Sequence, residues 1–318
     1  MKNLEYVSYI KNWTMILVVL YHCLCGYSNI WGEEYSWKLV PIWSNLAHIL
    51  VYFHMPIFTL MSVYLYAYLE ANQTYNNTSV FIEKKIKRIM VPYLIWGTIV
   101  CLIQQCDFYY LFFGISHLWY LLFLFEAFIS FYLINKIPNK CKIIVFALLF
   151  VTCLLIYKKN NTPILCIGYY IRYMPYFIIG YYLYHIIRKI KSIKCIYAFS
   201  IAMVFLMLFI IEFLNHSNKF ILAALSLIVI ISILIILRQK EKILPFKRYI
   251  LKLNKYTMGV YIIHHIIIQE INNSTIGRLY MEYYVLYPIL LFILSFVFAL
   301  MLTYILQKWK IGRVLFGY

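Results

Sequence analysis

Charge is scarce in this chain. Asp, Glu, Lys and Arg make up only 13% of its 318 residues, while 64% are hydrophobic and mean hydropathy is +0.79. A soluble domain has no interior large enough for so much apolar side chain, so a water-soluble globular fold is excluded. CxxC pairs are missing, and the eight Cys are scattered, mostly in apolar runs, with no metal-ligand spacing. That removes a disulfide framework and a bound metal from the expectations and leaves the Cys as small buried hydrophobes. No small-residue cleavage site follows the first apolar run, which is too long for a signal peptide core, so it reads as a signal anchor that stays. Sequence repeats, long linkers and a soluble domain are also lacking. The longest segments expected outside, about 29–44 and 273–283, are too short to fold alone. Any chemistry therefore belongs inside a helical bundle or at its two mouths.

What the chain does have is a succession of apolar runs of roughly 17–25 residues, the length that spans a bilayer as helix. The runs lie at roughly 9–28, 45–69, 89–106, 117–135, 141–157, 165–187, 195–214, 220–237, 256–272 and 284–306. They predict an all-α, polytopic transmembrane helical bundle of about ten spans, forming one domain over residues 1–318. Tyr (33) and Phe (23) are abundant, many near the ends of the runs, where membrane interfaces favour them. The cations alternate between connecting segments. Lys2, Lys11, Lys84–Arg88, Lys136–Lys142, Arg188–Lys194, Arg238–Lys255 and Lys308–Arg313 fall on one side; Lys38, Lys158, Lys159, Lys219 and Arg278 fall on the other. This asymmetry puts both termini in the cytoplasm, N-in and C-in. It also accounts for the net charge of +18 without nucleic acid, because such loops face the anionic headgroups of the lipid bilayer. The fifth run is short and the ninth barely apolar; dropping either alone would put Lys308, Lys310 and Arg313 outside, so parity keeps both.

The stretch KNWTMILVVLYH, Lys11 to His22, places a cation and an imidazole on the first apolar run. Eleven steps at roughly 100° return to within about 20° of the start, so both share one helix face, about 16 Å apart along the axis. Lys11 then sits at a lipid–water boundary and His22 well inside, about 20 Å from the inner boundary. Ionisable groups at such depth are costly and are functional candidates. His54, Glu126 and Arg172 lie about 13, 13 and 10 Å below the outer boundary, and His264 and His265 about 13 Å above the inner one. The plain reading of this layer is satisfied packing histidines with a Glu126–Arg172 ion pair. The sharper reading is a water-filled cavity holding a general base and its partners. His22 is the candidate base, since neutral imidazole accepts a proton. The cluster Lys84, Lys85, Lys87 and Arg88, with Lys11, offers cations at the cytoplasmic mouth, although positive-inside loops carry such clusters anyway.

In order, these motifs resemble acyltransferase family 3, integral-membrane enzymes that acylate cell-surface polysaccharides, lipid-linked sugars and related acceptors. The family opens with Arg, ten residues, then His; here the pair is Lys11 and His22. Its His-Met-Pro-Phe-like run matches FHMPIFTLMSVYL, with His54, Met55, Pro56, Phe58 and Ser62. A basic segment followed by Pro appears as KKIKRIMVPYLIW, a His-Leu-Trp-aromatic-Leu element at His117 to Leu121, and a Phe-aromatic-Gly-Tyr element around Gly180. A late Gly-x-Tyr-x-x-His appears as Gly259, Tyr261 and His264. The resemblance covers about residues 4–306. Lys11 replaces the usual Arg, Val63 stands where Gly is frequent, and Glu126 lies seven residues past Trp119, off the spacing at which some branches place a Glu.

The resemblance implies a trans-bilayer reaction with acetyl-CoA, or another acyl-CoA, as co-substrate and no metal. The donor's phosphates would meet Lys11 and Lys84, Lys85, Lys87 and Arg88 as charge-assisted partners. A sugar or polysaccharide hydroxyl would arrive from outside, and His22 would take its proton or carry the acyl group. Arg172 or Tyr hydroxyls would steady the oxyanion, with His54 and Glu126 in the same layer. Trp31, Trp37, Trp43 and Trp119 would either stack on sugar or form the interfacial belt. The expected setting is the bacterial cytoplasmic membrane. The rival reading is a transporter (flippase) of a glycan or lipid-linked sugar, which needs no acyl donor.

Overall fold

The computed structural model describes residues 4–28, 39–75, 77–156, 166–190, 194–216 and 218–318, apart from the side chains of Asn139, Tyr280 and Met281. Lys2, Trp31, Trp37, Lys38, Lys158, Lys159 and Lys191, all named above, lie outside the described residues. The described chain is helical, with no strand among the described residues. Its helices are α1 (Glu5–Leu24), α2 (Pro41–Val51), α3 (His54–Ala71), α4 (Thr78–Lys85), α5 (Val91–Gln104), α6 (Trp119–Asn135), α7 (Asn139–Ile156) and α8 (Ile167–Lys189). They continue as α9 (Cys195–Leu214), α10 (Lys219–Gln239), α11 (Lys247–Lys252), α12 (Thr257–Asn273), α13 (Leu279–Glu282), α14 (Tyr287–Leu306) and α15 (Lys310–Leu315).

Among the described residues seven stretches are long and apolar enough to cross a membrane: Glu5–Tyr27, Pro41–Ala71, Thr78–Gln104, Phe108–Asn135, Cys195–Leu214, Lys219–Gln239 and Tyr287–Leu306. The three other positions expected to span hold helices α7, α8 and α12, of 18, 23 and 17 residues. α8 carries Arg172, Arg188 and Lys189 and an internal Pro175, and α12 is short and rich in polar side chains, which sets both apart from the strongly apolar runs.

Local chemistry explains where helices break. The expected second span is two helices, because α2 ends at Val51 and α3 begins at His54. Restarting there puts Pro56 in a first turn, where its missing N–H has no helical partner to lose, and Pro41 opens α2 for the same reason. The consequence is that His54 stands at a helix start rather than mid-helix. Between α4 and α5, residues Ile86–Met90 form a π turn just ahead of Pro92. Such turns arise where the ordinary ladder is interrupted, as it is by a proline without an N–H. Asn77 and Asn218 cap α4 and α10, each accepting a 2.9 Å bond from the backbone N–H two residues on.

The chain forms two compact units, residues 1–61 with 188–301, and residues 62–187 with 302–318. In the first unit the amino-terminal half of α1 is tied to the segment ahead of α12. Asn12, fully buried, donates to Ile250 O at 2.7 Å and accepts from Thr257 Oγ1 at 2.5 Å. Tyr9 donates to Pro245 O, the Tyr6 N–H to Glu241, and Lys247 pairs with Glu5. α9 and α10 form a hairpin whose α9 leaves Ile196, Phe199, Met203, Met207 and Ile210 exposed, a continuous apolar surface suited to lipid. In the second unit Phe131 and Phe146 pack with Phe177 and Tyr181 as an aromatic core. Trp96 there donates to Leu315 O at 2.9 Å and stacks on Phe316, fixing α15 to α5.

Candidate active site

The first unit gathers histidines with a shared local geometry. Nδ1 lies 2.8 Å from the carbonyl four residues back in His22, 2.5 Å in His54 and 3.0 Å in His264. A carbonyl oxygen only accepts, so each Nδ1 carries the ring hydrogen and, in the neutral ring, Nε2 carries the lone pair. In His22 and His264 this geometry comes from the helix itself, because a side chain at position i leans back over the turn that exposes the carbonyl at i−4, whereas His54, the first residue of α3, reaches back across the break to Leu50 of α2.

Tertiary packing then joins three of the helices. Nε2 of His264, on α12, lies 3.2 Å from Nδ1 of His22, on α1. Because His264 gives its own hydrogen to Val260 O, its Nε2 is the acceptor, and the His22 N–H is shared between Val18 O and His264. The His265 ring stands edge-on to His22 at 5.1 Å. On the other side Tyr21 is edge-on to His22 at 5.1 Å and stacks on His54, of α3, at 4.4 Å. His54, His264 and His265 are buried (3%, 0% and 7% exposed), whereas His22 is only partly so, which makes it the ring of this group with an open side.

The sequence reading singled out each of these histidines but not the direct His22–His264 contact, nor Tyr21 between His22 and His54. The hint for Tyr21 is its place beside His22. Asn12 was also missed; its signal is an amide next to Lys11 at the edge of an apolar run. Lys11 and His22 do ride on one unbroken helix; His22 meets α12 through His264 and His265, and Lys11 meets α3 at Phe58. The Lys11 ammonium lies 5.8 Å from the Phe58 ring, Phe58 6.3 Å from Tyr261, and Tyr261 6.0 Å from His264.

Glu126, Arg172 and the Lys84–Arg88 cluster lie in the second unit. Glu126 is half-buried on α6, and Arg172 is exposed on α8 with its guanidinium 5.6 Å from the Tyr173 ring. Lys84, Lys85, Lys87 and Arg88 do not point alike. Lys85 turns inward, its ammonium 3.4 Å from the centre of Phe128 and within 6 Å of Phe81, Tyr75 and Tyr66. Lys87 pairs with Glu83 one turn back. Lys84 and Arg88 are exposed. Trp43 is half-buried against Leu24, Ala47 and Leu50 in the first unit, and Trp119 stacks on Tyr169 at 3.9 Å in the second, so both already serve packing. Among the described residues no group of His, Cys, Asp and Glu is arranged to hold a metal ion.

A group with a chosen basic nitrogen, oriented by a second ring and set in a membrane helix, suits proton abstraction from a hydroxyl. Neither the curated proteins nor the solved structures contain a match to the chain. The family model for acyltransferase family 3, described as an acyltransferase domain, matches residues 4–308. With nearly its whole length so matched, and with seven helices fit to cross a membrane among the described residues, this chain belongs to acyltransferase family 3 and is a membrane acyltransferase.

Proposed function

We propose that the protein moves an acyl group, acetyl as the leading candidate, from cytoplasmic acyl-CoA to a hydroxyl of a cell-surface or lipid-linked sugar, in a bacterial cytoplasmic membrane with both chain ends inside. The observation that carries this reading is His22, in a chain of acyltransferase family. Its Nδ1–H is held by Val18 O, so its Nε2 is the nitrogen that meets substrate.

In this mechanism the acceptor hydroxyl gives its proton to His22 Nε2 as its oxygen attacks the thioester carbonyl. The C–O bond forms, the C–S bond breaks, and the proton passes to the departing sulfur, so that CoA leaves as the thiol and His22 returns to its neutral form. Positioned base catalysis of this kind is worth about 10²–10⁴-fold in rate. Lys11, on the same helix face as His22, meets an anionic part of the donor. Lys84 and Arg88 are the proposed phosphate contacts of the basic segment, because their side chains are exposed. Lys85, enclosed by ring faces, serves the fold of that segment instead.

The test is NMR of the host's surface polysaccharide in wild type, in a deletion strain and in that strain carrying His22→Ala. Loss of O-acyl signals in the deletion, unrestored by His22→Ala although the variant is inserted normally, is the expected result. Full acylation with less polysaccharide at the surface would instead identify an exporter.

A further inference from the structure

His22 has its hydrogen on Nδ1 because Val18 O demands it, but that carbonyl is not the only acceptor present. Nε2 of His264 points at the same Nδ1 from 3.2 Å, across 242 residues of sequence. The His264 ring is itself anchored, since its Nδ1 donates to Val260 O at 3.0 Å and the side chain is 0% exposed. Its orientation and tautomer are therefore set by its own helix before His22 is considered. The neighbouring turn of α12 adds Tyr261, whose ring centre is 6.0 Å from that of His264.

We infer that His264 is a positioning residue for His22. It acts through Nδ1 and does not touch the substrate. This inference rests on the proposed role of His22 as base and deepens it. The arrangement has the logic of any base held by a third group. An acceptor at one ring nitrogen fixes the tautomer and the rotation of the ring, and it faces the positive charge that forms when the other nitrogen takes the proton. Here the acceptor is neutral, which avoids placing a carboxylate at membrane depth, where an ionised side chain is costly. The proton taken up at Nε2 leaves from Nε2. The Nδ1 hydrogen stays on His22 throughout, and only its bond to His264 strengthens. Val18 O alone would fix the tautomer, but it moves with α1; His264 fixes the ring against α12 as well.

The experiment uses the full-length protein in host membranes. Release of CoA thiol from acetyl-CoA is followed with polysaccharide from the deletion strain as acceptor. His264→Gln keeps an acceptor oxygen for the Nδ1–H, and His264→Leu keeps bulk without one. The expected result is that turnover falls on the order of 10²-fold in His264→Leu with KM for acetyl-CoA unchanged, while His264→Gln recovers much of it. Equal losses in both variants, or wild-type turnover in His264→Leu, would overturn the inference. His22→Ala run alongside separates the two readings. If it is inactive while His264→Leu is normal, only the positioning role falls; if His22→Ala is itself fully active, the base role falls and the positioning role with it. A second measurement does not depend on turnover or on the stability of the variants. Nitrogen-15 NMR of histidine-labelled wild type in micelles, with His22 assigned from His22→Ala, should show its hydrogen on Nδ1. A hydrogen found on Nε2 would overturn the proposal.

Discussion

An imidazole held by the carbonyl one turn behind it is a base with only one nitrogen to offer, and at His22 that choice is made by α1 alone. Residues around it are then read by what they touch. Lys11 lies over the Phe58 ring, and its positive charge is suited to an anionic ligand. Lys11→Arg is expected to keep donor use and Lys11→Ala to weaken it, read as KM for acetyl-CoA in membranes; equal KM in all three proteins would remove the donor role. Asn12 is a structural counterpart. Its amide satisfies Ile250 O and Thr257 Oγ1 in a fully buried place. Asn12→Leu takes the amide donor from Ile250 O and leaves Thr257 Oγ1 with its 3.3 Å bond to Leu253 O, and should cost about 1–3 kcal/mol, measured as a lower midpoint of thermal unfolding in detergent. At this scale the sequence was informative because depth and residue type mark a costly polar group. It was silent on which polar groups meet, because depth is one coordinate of three.

At the scale of elements, the apolar runs located most helices, and proline chemistry explains the details they did not reveal. The run at 45–69 reads as continuous from hydropathy, yet Pro56 divides it and carries His54 to the start of α3. Likewise the basic run at 84–88 reads as a cationic loop, while the structure builds it as the end of α4 and a π turn. Its four cations diverge because a helical turn points successive side chains about 100° apart. Lys85 consequently faces Phe128, and Lys87 faces Glu83. α9 has the opposite character, being apolar on every side and mostly exposed. A charge at Met207, 65% exposed, would have to sit in lipid. Met207→Arg is expected to disfavour insertion by about 2.5–3.5 kcal/mol, visible as a reduced inserted fraction when the variant is expressed and its membranes are alkali-extracted. Unchanged insertion would mean that α9 faces protein or water.

For the molecule as a whole, the distribution of Lys and Arg predicts which loops share a compartment, and every proposed contact with a cytoplasmic donor depends on it. An epitope inserted beside residues 84–88 should be reached only after the cytoplasmic face is opened, and one inserted within 29–44 should be reached in intact cells. The reverse pattern would invert the orientation and move Lys11 to the wrong side for acyl-CoA.

The sequence by itself determined that this is a helical membrane protein. Length and apolarity of a run suffice for that, since backbone hydrogen bonds in lipid have to be satisfied within the segment. It also determined that Lys11 and His22 share a face, because 3.6 residues per turn is a local property, and its ordered motifs led to the family that matches residues 4–308. Only the tertiary structure decided that His264 adjoins His22, and that Tyr21 lies between His22 and His54. Those contacts depend on how side chains of distant helices pack against one another, and hydropathy and spacing along one chain carry no measure of that.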